Sequence, residues 1–349
     1  MSRRHQLFSG TGERGMALLL VVTVIALLSV VIIGFGRSMQ LALDDAAYFQ
    51  DDLTLETMAH SGMDIGMALL LSDLAENDFD SLLESWSLIA QDPLDVGVGD
   101  GDVTVSIGDL DGRFPIHSLV ATAGEGRNPG GPQGAAADGI SPEQAREVLL
   151  RLLQSGLFTV EDEATAVEIV DSLTDWIDEN DDERGSGAES GFYDSLEKPI
   201  VPRNGPVDFI DELLLVKGVT RELLYGNDEK QALAEYISVT NRTNRININT
   251  APAAVIQALD DRISTEDVDG IDEYRNDEAN FDALADSSWF VNYLPADIGG
   301  GDLQMLLTTQ SKHFIIESEA RHRERYAKTI MKIERSPEGE MKILSSTME

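Results

Sequence analysis

One uninterrupted apolar segment near the N-terminus limits what this chain can fold into more than any other feature. Residues 16–36 read MALLLVVTVIALLSVVIIGFG, a run of 21 residues without a charged side chain. At about 1.5 Å per residue, a helix of this length spans roughly 31 Å, which is enough to cross a bilayer. Buried helices of soluble proteins seldom contain such a run. The segment therefore predicts a transmembrane helix, and the sequence contains no second candidate.

The charges ahead of this segment predict its orientation. Residues 1–15 contain Arg3, Arg4 and Arg14 against a single acid, Glu13. Positive charge is retained on the cytoplasmic side of a membrane, so we expect the N-terminus inside and the rest of the chain outside. In a Gram-negative cell this means one span in the inner membrane and a body in the periplasm.

The junction between the basic leader and the apolar segment is unlike an ordinary secretory signal. Such a signal has a small-residue cleavage site after its apolar region, and residues 36–39 (GRSM) form a poor one. Gly15 instead directly precedes Met16. This resembles the class III leader of type IV pilins and pseudopilins, which prepilin peptidase would cut between these two residues. The fifth residue after the cut is Leu20, where most members have Glu, and the K-type minor pseudopilin usually lacks that acid.

The overall charge and the missing residue types exclude several functions. The chain has 26 Lys and Arg against 63 Asp and Glu, a net charge of −37, which argues against nucleic-acid binding because phosphates require a basic surface. There are no cysteines, which excludes thiolate nucleophiles, disulfides and iron–sulfur clusters. The HExxH, Walker A and GxSxG motifs are also absent from the sequence. These observations argue against an enzyme.

Strand patterns occur on both sides of a long helical region. Alternating apolar and polar residues predict strands over residues 103–107, 314–320 and 329–334. The last two are expected to form an antiparallel hairpin joined by the polar connector 321–328. Residues 335–349 are expected to be a frayed tail.

The segment between these strands has helix signals. Residues 121–139 are rich in Gly, Ala and Pro and are expected to be a flexible boundary. Ser141 followed by Pro142 predicts the start of a helix. A second helix with apolar residues at three- and four-residue steps is expected over 164–177. A third is expected over 254–259, with Thr250 as its cap.

Two glycine-containing turns, at Gly218 and Gly270, are similar to those of helix-hairpin-helix units, which elsewhere bind DNA backbones. Acidic residues surround both turns, so phosphate would meet a strongly negative field. We therefore interpret both turns as structural breaks between packed helices.

The most acidic stretch begins in the second of these helices. Residues 171–193 read DSLTDWIDENDDERGSGAESGFY, with seven acids and no base up to residue 183. One interpretation is a solvated acidic face. The other is a site for a hard cation such as calcium, which takes six to eight oxygen ligands in flexible geometry. The candidate ligands are the carboxylate and amide side chains of Asp178, Asn180, Asp181, Glu183 and Glu189.

Four motifs in the middle of the chain resemble a known family. DWIDEND, GAESGFY, RNGPVDFIDELLLVKGVT and ININTAPAAVIQAL occur in this order. Together with the leader and Leu20, they are similar to general secretion pathway protein K, the large minor pseudopilin of type II protein secretion. Two features depart from the family pattern. The leader is longer than expected, and residues 115–119 (PIHSL) stand where the family prefers an Asn-Leu-Asn-like stretch.

The resemblance implies an α+β fold. A pilin-like N-terminal transmembrane and spine helix would combine with a small antiparallel sheet, and a large mainly α-helical domain would be inserted. The expected organisation is a leader peptide over 1–15, the transmembrane part of the helix over 16–36, a periplasmic helix and the first strands over 37–120, the inserted helical domain with its acidic loop over 121–300, and the C-terminal strands and tail over 301–349.

The resemblance also implies a function. Proteins of this family are non-enzymatic tip or initiator subunits of the periplasmic pseudopilus, which takes part in the export of folded proteins across the outer membrane. The implied partners are the I-, J- and H-type minor pseudopilins, the pseudopilus, the inner-membrane assembly platform and prepilin peptidase, with no nucleic acid. The family is also associated with calcium at the acidic loop, so a structural calcium ion is expected.

Two alternatives remain from the sequence. The first is a signal-anchored periplasmic binding protein that uses the acidic loop for cation-dependent recognition, and it predicts no cleavage after Gly15. The second is a periplasmic hydrolase that uses acid pairs among Asp175, Asp178 and Glu189, since paired carboxylates can perform acid–base chemistry. Nothing besides acidity indicates a substrate cleft for the second.

Overall fold

The computed structural model describes residues 12–91, 94–98, 101–120, 139–295, 298 and 300–348. These residues belong to two compact units, Met1–Met58 and Ala59–Glu349. Most of the predicted boundary segment 121–139 and most of the predicted leader lie outside the described residues.

The first helix, α1 (Gly12–Leu74), is continuous over 63 residues. Its large apolar side chains between Met16 and Phe35 are exposed. Among the residues that the structure describes, α1 is the one helix long and apolar enough to cross a membrane. An exposed apolar surface of this extent requires a cover such as lipid or another protein. The helix therefore agrees with the predicted membrane anchor.

The strands follow in chain order: β1 (Leu94–Val98), β2 (Gly101–Asp109), β3 (Phe114–Pro115), β4 (Ile237–Ser238), β5 (Ile246–Asn247), β6 (Leu307–Thr308), β7 (His313–His322), β8 (Arg325–Arg335) and β9 (Met341–Met348). Five of them form an antiparallel sheet in the order β1-β2-β7-β8-β9. The two-residue strands form parallel pairs, β3 with β4 and β5 with β6.

The C-terminal part of α1 packs on this sheet through two glycines. A Cβ atom on Gly66 would stand 2.6 Å from Ile316 Cγ2, and one on Gly62 would stand 2.0 Å from Ser318 Oγ of β7. The absence of a side chain at both positions lets the helix backbone approach the strand. Val103, Val105 and other alternate residues of β2 are fully buried, as a one-sided sheet requires.

The remaining helices, except α2 (Ser85–Gln91), lie in the chain between β2 and β7. The α-helices are α3 (Pro142–Leu153), α4 (Glu163–Ile177), α5 (Ser190–Asp194), α6 (Arg221–Tyr225), α7 (Ala253–Ala258), α8 (Thr265–Arg275) and α9 (Gly300–Leu306), and the 3-10 helices are Ile116–Leu119, Ile210–Leu215, Leu233–Glu235, Glu278–Ala285 and Trp289–Tyr293. This arrangement confirms the predicted α+β class, in which a mainly helical region interrupts an antiparallel sheet.

The helix starts at α3 and α4 follow from their caps. The Ser141 side chain accepts from the Gln144 N–H while the Gln144 side chain accepts from the Ser141 N–H, so a capping box starts α3. Asp162 caps α4 by accepting from the Thr165 N–H at 2.8 Å. Both helices bury apolar faces in one core, which includes Leu149 and Val170.

Four local predictions are wrong. Residues 341–348 of the expected tail form β9, because β8 presents an open edge that backbone groups can pair with. The connector 321–328 is almost all strand, and only Arg323 and Glu324 form the turn of the hairpin. Gly270 lies inside α8 rather than at a turn, whereas Gly218 has a φ of +83° and does lie in a turn, the one that follows the 3-10 helix Ile210–Leu215. The residue at the cap position of α7 is Pro252, because the Thr250 hydroxyl donates to the Asp109 carboxylate instead.

Candidate metal site

The C-terminal half of α4 presents three acids on one face. Asp171, Asp175 and Asp178 are spaced by four and three residues, which places their side chains in a row along the helix. All three are buried, and Asp175 has no exposed surface. Burial of a row of carboxylates is costly unless donors or cations compensate it.

The loop after α4 folds back over this row and supplies donors. The Asp175 carboxylate accepts from the backbone N–H of Arg184 at 3.1 Å and of Ala188 at 3.0 Å. The Asp171 carboxylate accepts from the Ser186 N–H at 3.1 Å. Gly187 is required at this contact, since a Cβ atom there would stand 1.9 Å from Asp175 Oδ2. The glycines of the loop thus let its backbone reach the buried acids.

The loop ends at Glu189, which joins two of these acids in a compact cluster. Asp175, Asp178 and Glu189 each offer one oxygen, and the three oxygens lie within 4.8 Å of one another. Glu189 is 4% exposed, and neither of its carboxylate oxygens has a hydrogen-bond partner. A buried acid without donors indicates that a positively charged group belongs beside it.

The surroundings of Glu189 disfavour its ionised form. Burial, followed by the charges of Asp175, Asp178 and Asp181, raises the pKa of Glu189 to about 7. Burial also raises the pKa of Asp175. A divalent cation would reverse both effects, because its charge favours the ionised carboxylates.

One cationic side chain already enters the cluster. Arg184 Nη1 lies 3.1 Å from Asp175 Oδ1 and also contacts Asp178 Oδ2. The Arg184 side chain is 41% exposed, so the guanidinium lies between the cluster and solvent. It pairs with two of the three acids and leaves Glu189 without a donor.

The structure brings two of the five predicted ligands together. Asp178 and Glu189 belong to the cluster, whereas Asn180, Asp181 and Glu183 are exposed. Asn180 Oδ1 accepts from the Asp182 N–H at 2.8 Å, and Asp181 Oδ1 accepts from the Ser190 N–H at 3.2 Å.

The third member of the cluster, Asp175, was not among the predicted ligands. Its spacing of three residues from Asp178 on a helix is the signal that could have found it. Three carboxylates around one point, with an unpartnered buried member, fit a calcium ion. The predicted calcium therefore stays a prediction with a smaller set of protein ligands.

A second group of acids has a different character. Asp73, Asp80 and Glu84 also lie within 4.8 Å of one another, but Arg335 donates to Asp73 at 3.0 Å and to Asp80. The Glu84 carboxylate accepts from the Trp86 indole N–H at 2.9 Å. These donors fill the space that a cation would need. This group is an internal hydrogen-bond network around Arg335.

The acids that could serve a hydrolase do not line either of two surface pockets of the described residues. One pocket lies at the tip of the β7–β8 hairpin, and the other lies between Arg151 and Ile263. Neither is lined by a residue of the acidic loop. The raised pKa of Glu189 comes from burial and from the neighbouring acids, and not from a position in either pocket.

The predicted leader cleavage point lies within α1. Gly15 and Met16 are both helical, and the Met16 side chain is 71% exposed. Cleavage between them stays a prediction.

Known proteins resemble this chain in sequence. Residues 112–241 match the family described as Type II secretion system (T2SS), protein K. Type II secretion system protein K of Klebsiella pneumoniae is 25% identical over 252 residues, which cover 71% of this chain and 70% of the relative. The protein of the same name from Pseudomonas aeruginosa is 23% identical over 345 residues, 97% of this chain and 93% of the relative.

A solved structure has the same fold. The chain is similar to one in the crystal structure of the GspK-GspI-GspJ complex from the enterotoxigenic Escherichia coli type 2 secretion system, with a TM-score of 0.64 and 18% identity. The match covers 86% of this chain and 97% of that chain.

Proposed function

We propose that the chain belongs to the type II secretion system protein K family, and that it is a minor pseudopilin and a non-enzymatic subunit at the tip of the periplasmic pseudopilus. In this role it assembles with the I- and J-type minor pseudopilins and with the H-type subunit. It takes part in the export of folded proteins across the outer membrane. The observation that carries the proposal is the family match over residues 112–241, because this region lies outside the N-terminal helix that pilin-like proteins share.

The architecture supports a position at the tip. The N-terminal part of α1 is exposed and apolar, so it can lie in a bilayer and later pack among the helices of a filament. The helical region between β2 and β7 adds bulk that would prevent another subunit from stacking above. An acid at position 20 would pair with the N-terminal amine of the subunit above, and this chain has Leu20 there instead. A subunit without this acid suits the tip, where no subunit lies above it.

The location follows from the same proposal. The chain is an inner-membrane protein with its N-terminus in the cytoplasm and its body in the periplasm, and prepilin peptidase removes residues 1–15. The basic leader and the apolar helix support this orientation. The inner-membrane assembly platform is then the site at which the chain enters the pseudopilus.

A structural calcium ion completes the proposal. Asp175, Asp178 and Glu189 would hold it, and its two positive charges would offset most of the negative charge of these three buried carboxylates. The ion would then tie the end of α4 to the start of α5 and fix the loop between them. No catalytic step is assigned to it.

Two measurements test the function. The first is the mass and N-terminal sequence of the protein from native membranes, where we expect a chain that begins at Met16. The second is co-purification of the full chain with the I- and J-type subunits from the same membranes. A chain that still begins at Met1 or Ser2 in cells with active peptidase, and that purifies without these subunits, would instead favour the anchored binding protein.

A further inference from the structure

We propose that Arg184 is a built-in competitor for the cation at the acidic cluster. Its guanidinium holds Asp175 and Asp178 when no metal is bound, and it leaves the cluster when a divalent cation enters. Arg184 thereby sets the affinity of the site. This inference rests on the calcium site of the proposed function and concerns a residue that does not coordinate the metal.

The first argument is the position of the guanidinium. Arg184 Nη1 contacts an oxygen of Asp175 and an oxygen of Asp178, so it occupies the side of both carboxylates that a metal would use. Hydrogen bonds between charged groups of this kind are among the strong ones in proteins. A metal ion cannot approach these oxygens at bonding distance while the guanidinium remains.

The second argument is that the guanidinium leaves the Glu189 carboxylate without a hydrogen-bond donor. Both oxygens of Glu189 are buried and lack a hydrogen-bond partner, although Glu189 lies in the same cluster. Both contacts of the guanidinium with the cluster are made by one nitrogen, Nη1, and the third acid receives no hydrogen bond from it. Calcium–oxygen distances of about 2.3–2.6 Å place opposite ligands up to about 5 Å apart. The three oxygens, within 4.8 Å of one another, therefore suit one ion better than one guanidinium.

The third argument is that a cation can replace the Arg184 guanidinium without any opening of the loop. The backbone N–H of Arg184 donates to Asp175 Oδ2, whereas its side chain contacts the other oxygen, Oδ1. The side chain is partly exposed and can turn into solvent while the backbone bond stays in place. The Ala188 N–H also continues to hold Asp175. Only the guanidinium has to move.

The test compares calcium affinities of the full chain in detergent, measured by titration calorimetry. Arg184→Gln removes the competing charge and keeps a polar side chain of similar reach. We expect it to bind calcium roughly tenfold more tightly or better, because no charged hydrogen bonds must be broken first. Arg221→Gln is the matched control. It removes one positive charge from the same helical region, where the guanidinium lies over the Tyr225 ring, and we expect its affinity to stay within about twofold of the parent.

Thermal unfolding separates competition from a purely structural role. In the presence of a chelator, Arg184→Gln should unfold at a lower temperature than the parent chain, and saturating calcium should raise its midpoint by more than that of the parent. A purely structural Arg184 would lower the midpoint in both conditions and would not tighten binding. Arg184→Lys keeps the charge without the fork, so its affinity should lie between those of the parent and Arg184→Gln.

Two results would overturn the inference in distinguishable ways. Equal or weaker calcium binding by folded Arg184→Gln, together with clear binding by the parent, would remove the role of Arg184 and keep the site. Absence of calcium binding in the parent and in all three variants would remove the calcium site itself.

Discussion

Gly62 of α1 faces Ser318 of β7 with no room for a side chain between them, since a Cβ atom on Gly62 would stand 2.0 Å from Ser318 Oγ. Gly66, one helical turn later, lies against Ile316, where a Cβ atom would stand 2.6 Å from Cγ2. Two glycines four residues apart therefore set the distance between the helix and the sheet. The relationship joins the C-terminal part of α1 to β7, the central strand of the sheet.

Gly62→Val should lower the free energy of unfolding by about 1–3 kcal/mol, because the new side chain must displace Ser318 and Val103. Gly34→Val is the matched control, since a Cβ atom at Gly34 meets nothing within 4 Å. Chemical denaturation of the full chain in detergent measures both. Equal stability of the two variants would show that the helix can shift away from the sheet at little cost.

Asn249→Ala should lower the free energy of unfolding by about 2–4 kcal/mol. The buried Asn249 amide donates to the backbone oxygens of Asp80 at 3.2 Å and Leu284 at 3.1 Å, and its oxygen accepts from the Trp289 indole N–H at 2.9 Å. The substitution leaves these buried groups without partners.

Asn276→Ala provides the comparison, because the Asn276 side chain is exposed and donates one hydrogen bond, to the backbone oxygen of Asp272. Its effect should stay within about 0.5 kcal/mol. If the two substitutions cost the same, Asn249 does not anchor the helical region to the sheet body.

Stability should fall as the pH rises from about 5 to about 8. Burial raises the pKa of Asp80 to about 8, of Glu84 to about 7 and of Asp109 to about 6. The folded chain therefore holds protons that the unfolded chain has already released, and the stabilisation is lost as the pH rises through the raised values. Because these acids interact, the protons belong to the group of acids rather than to one residue.

Asp80→Asn should flatten this pH dependence, measured as the unfolding midpoint in saturating calcium. Asp78→Asn, at an exposed neighbour, should leave the slope of the parent chain unchanged. A slope that persists in Asp80→Asn would place the responsible protons elsewhere in the protein.

Calcium should raise the unfolding midpoint of the parent chain, and a chelator should reverse the rise. Glu189→Gln should lose most of this stabilisation, because Glu189 supplies the unpartnered buried carboxylate of the cluster. Glu183→Gln, on the same loop but exposed, should respond to calcium as the parent does. Loss of the response in Glu183→Gln alone would show that the cation binds at the outer acids of the loop.

Local signals in the sequence predicted the parts of the fold that depend on neighbouring residues. The cap at Ser141, the apolar periodicity of α4 and the alternation in β2, β7 and β8 each act over a few residues. The strand β9 was missed because MKILSSTM is ordered by the open edge of β8, which only the folded sheet provides. The family resemblance supplied the architecture that joins these elements.

The sequence predicted where the candidate site lies but not the full set of acids that form it. The density of acids pointed to the loop after α4, and Asp178 and Glu189 lie close together there. Asp175 entered the cluster because the loop returns along the face of α4, a path that depends on Gly187 and on backbone donors. Arg184 could not be assigned to the site from charge counts, since its role follows from the direction of one side chain.

The pairing of β2 with β7 also affects the order in which parts of the protein fold. The His313 imidazole contacts the Asp111 carboxylate at 2.8 Å, although 202 residues separate them in sequence. Closing a loop of that length carries an entropy cost that the pairing of the two strands must offset. Contacts so distant in sequence also form slowly. Folding of the intervening helices shortens the effective loop before the strands meet. We therefore expect the centre of the sheet to be the last part of the body to form. Until it forms, β2 keeps an exposed edge that needs protection from aggregation.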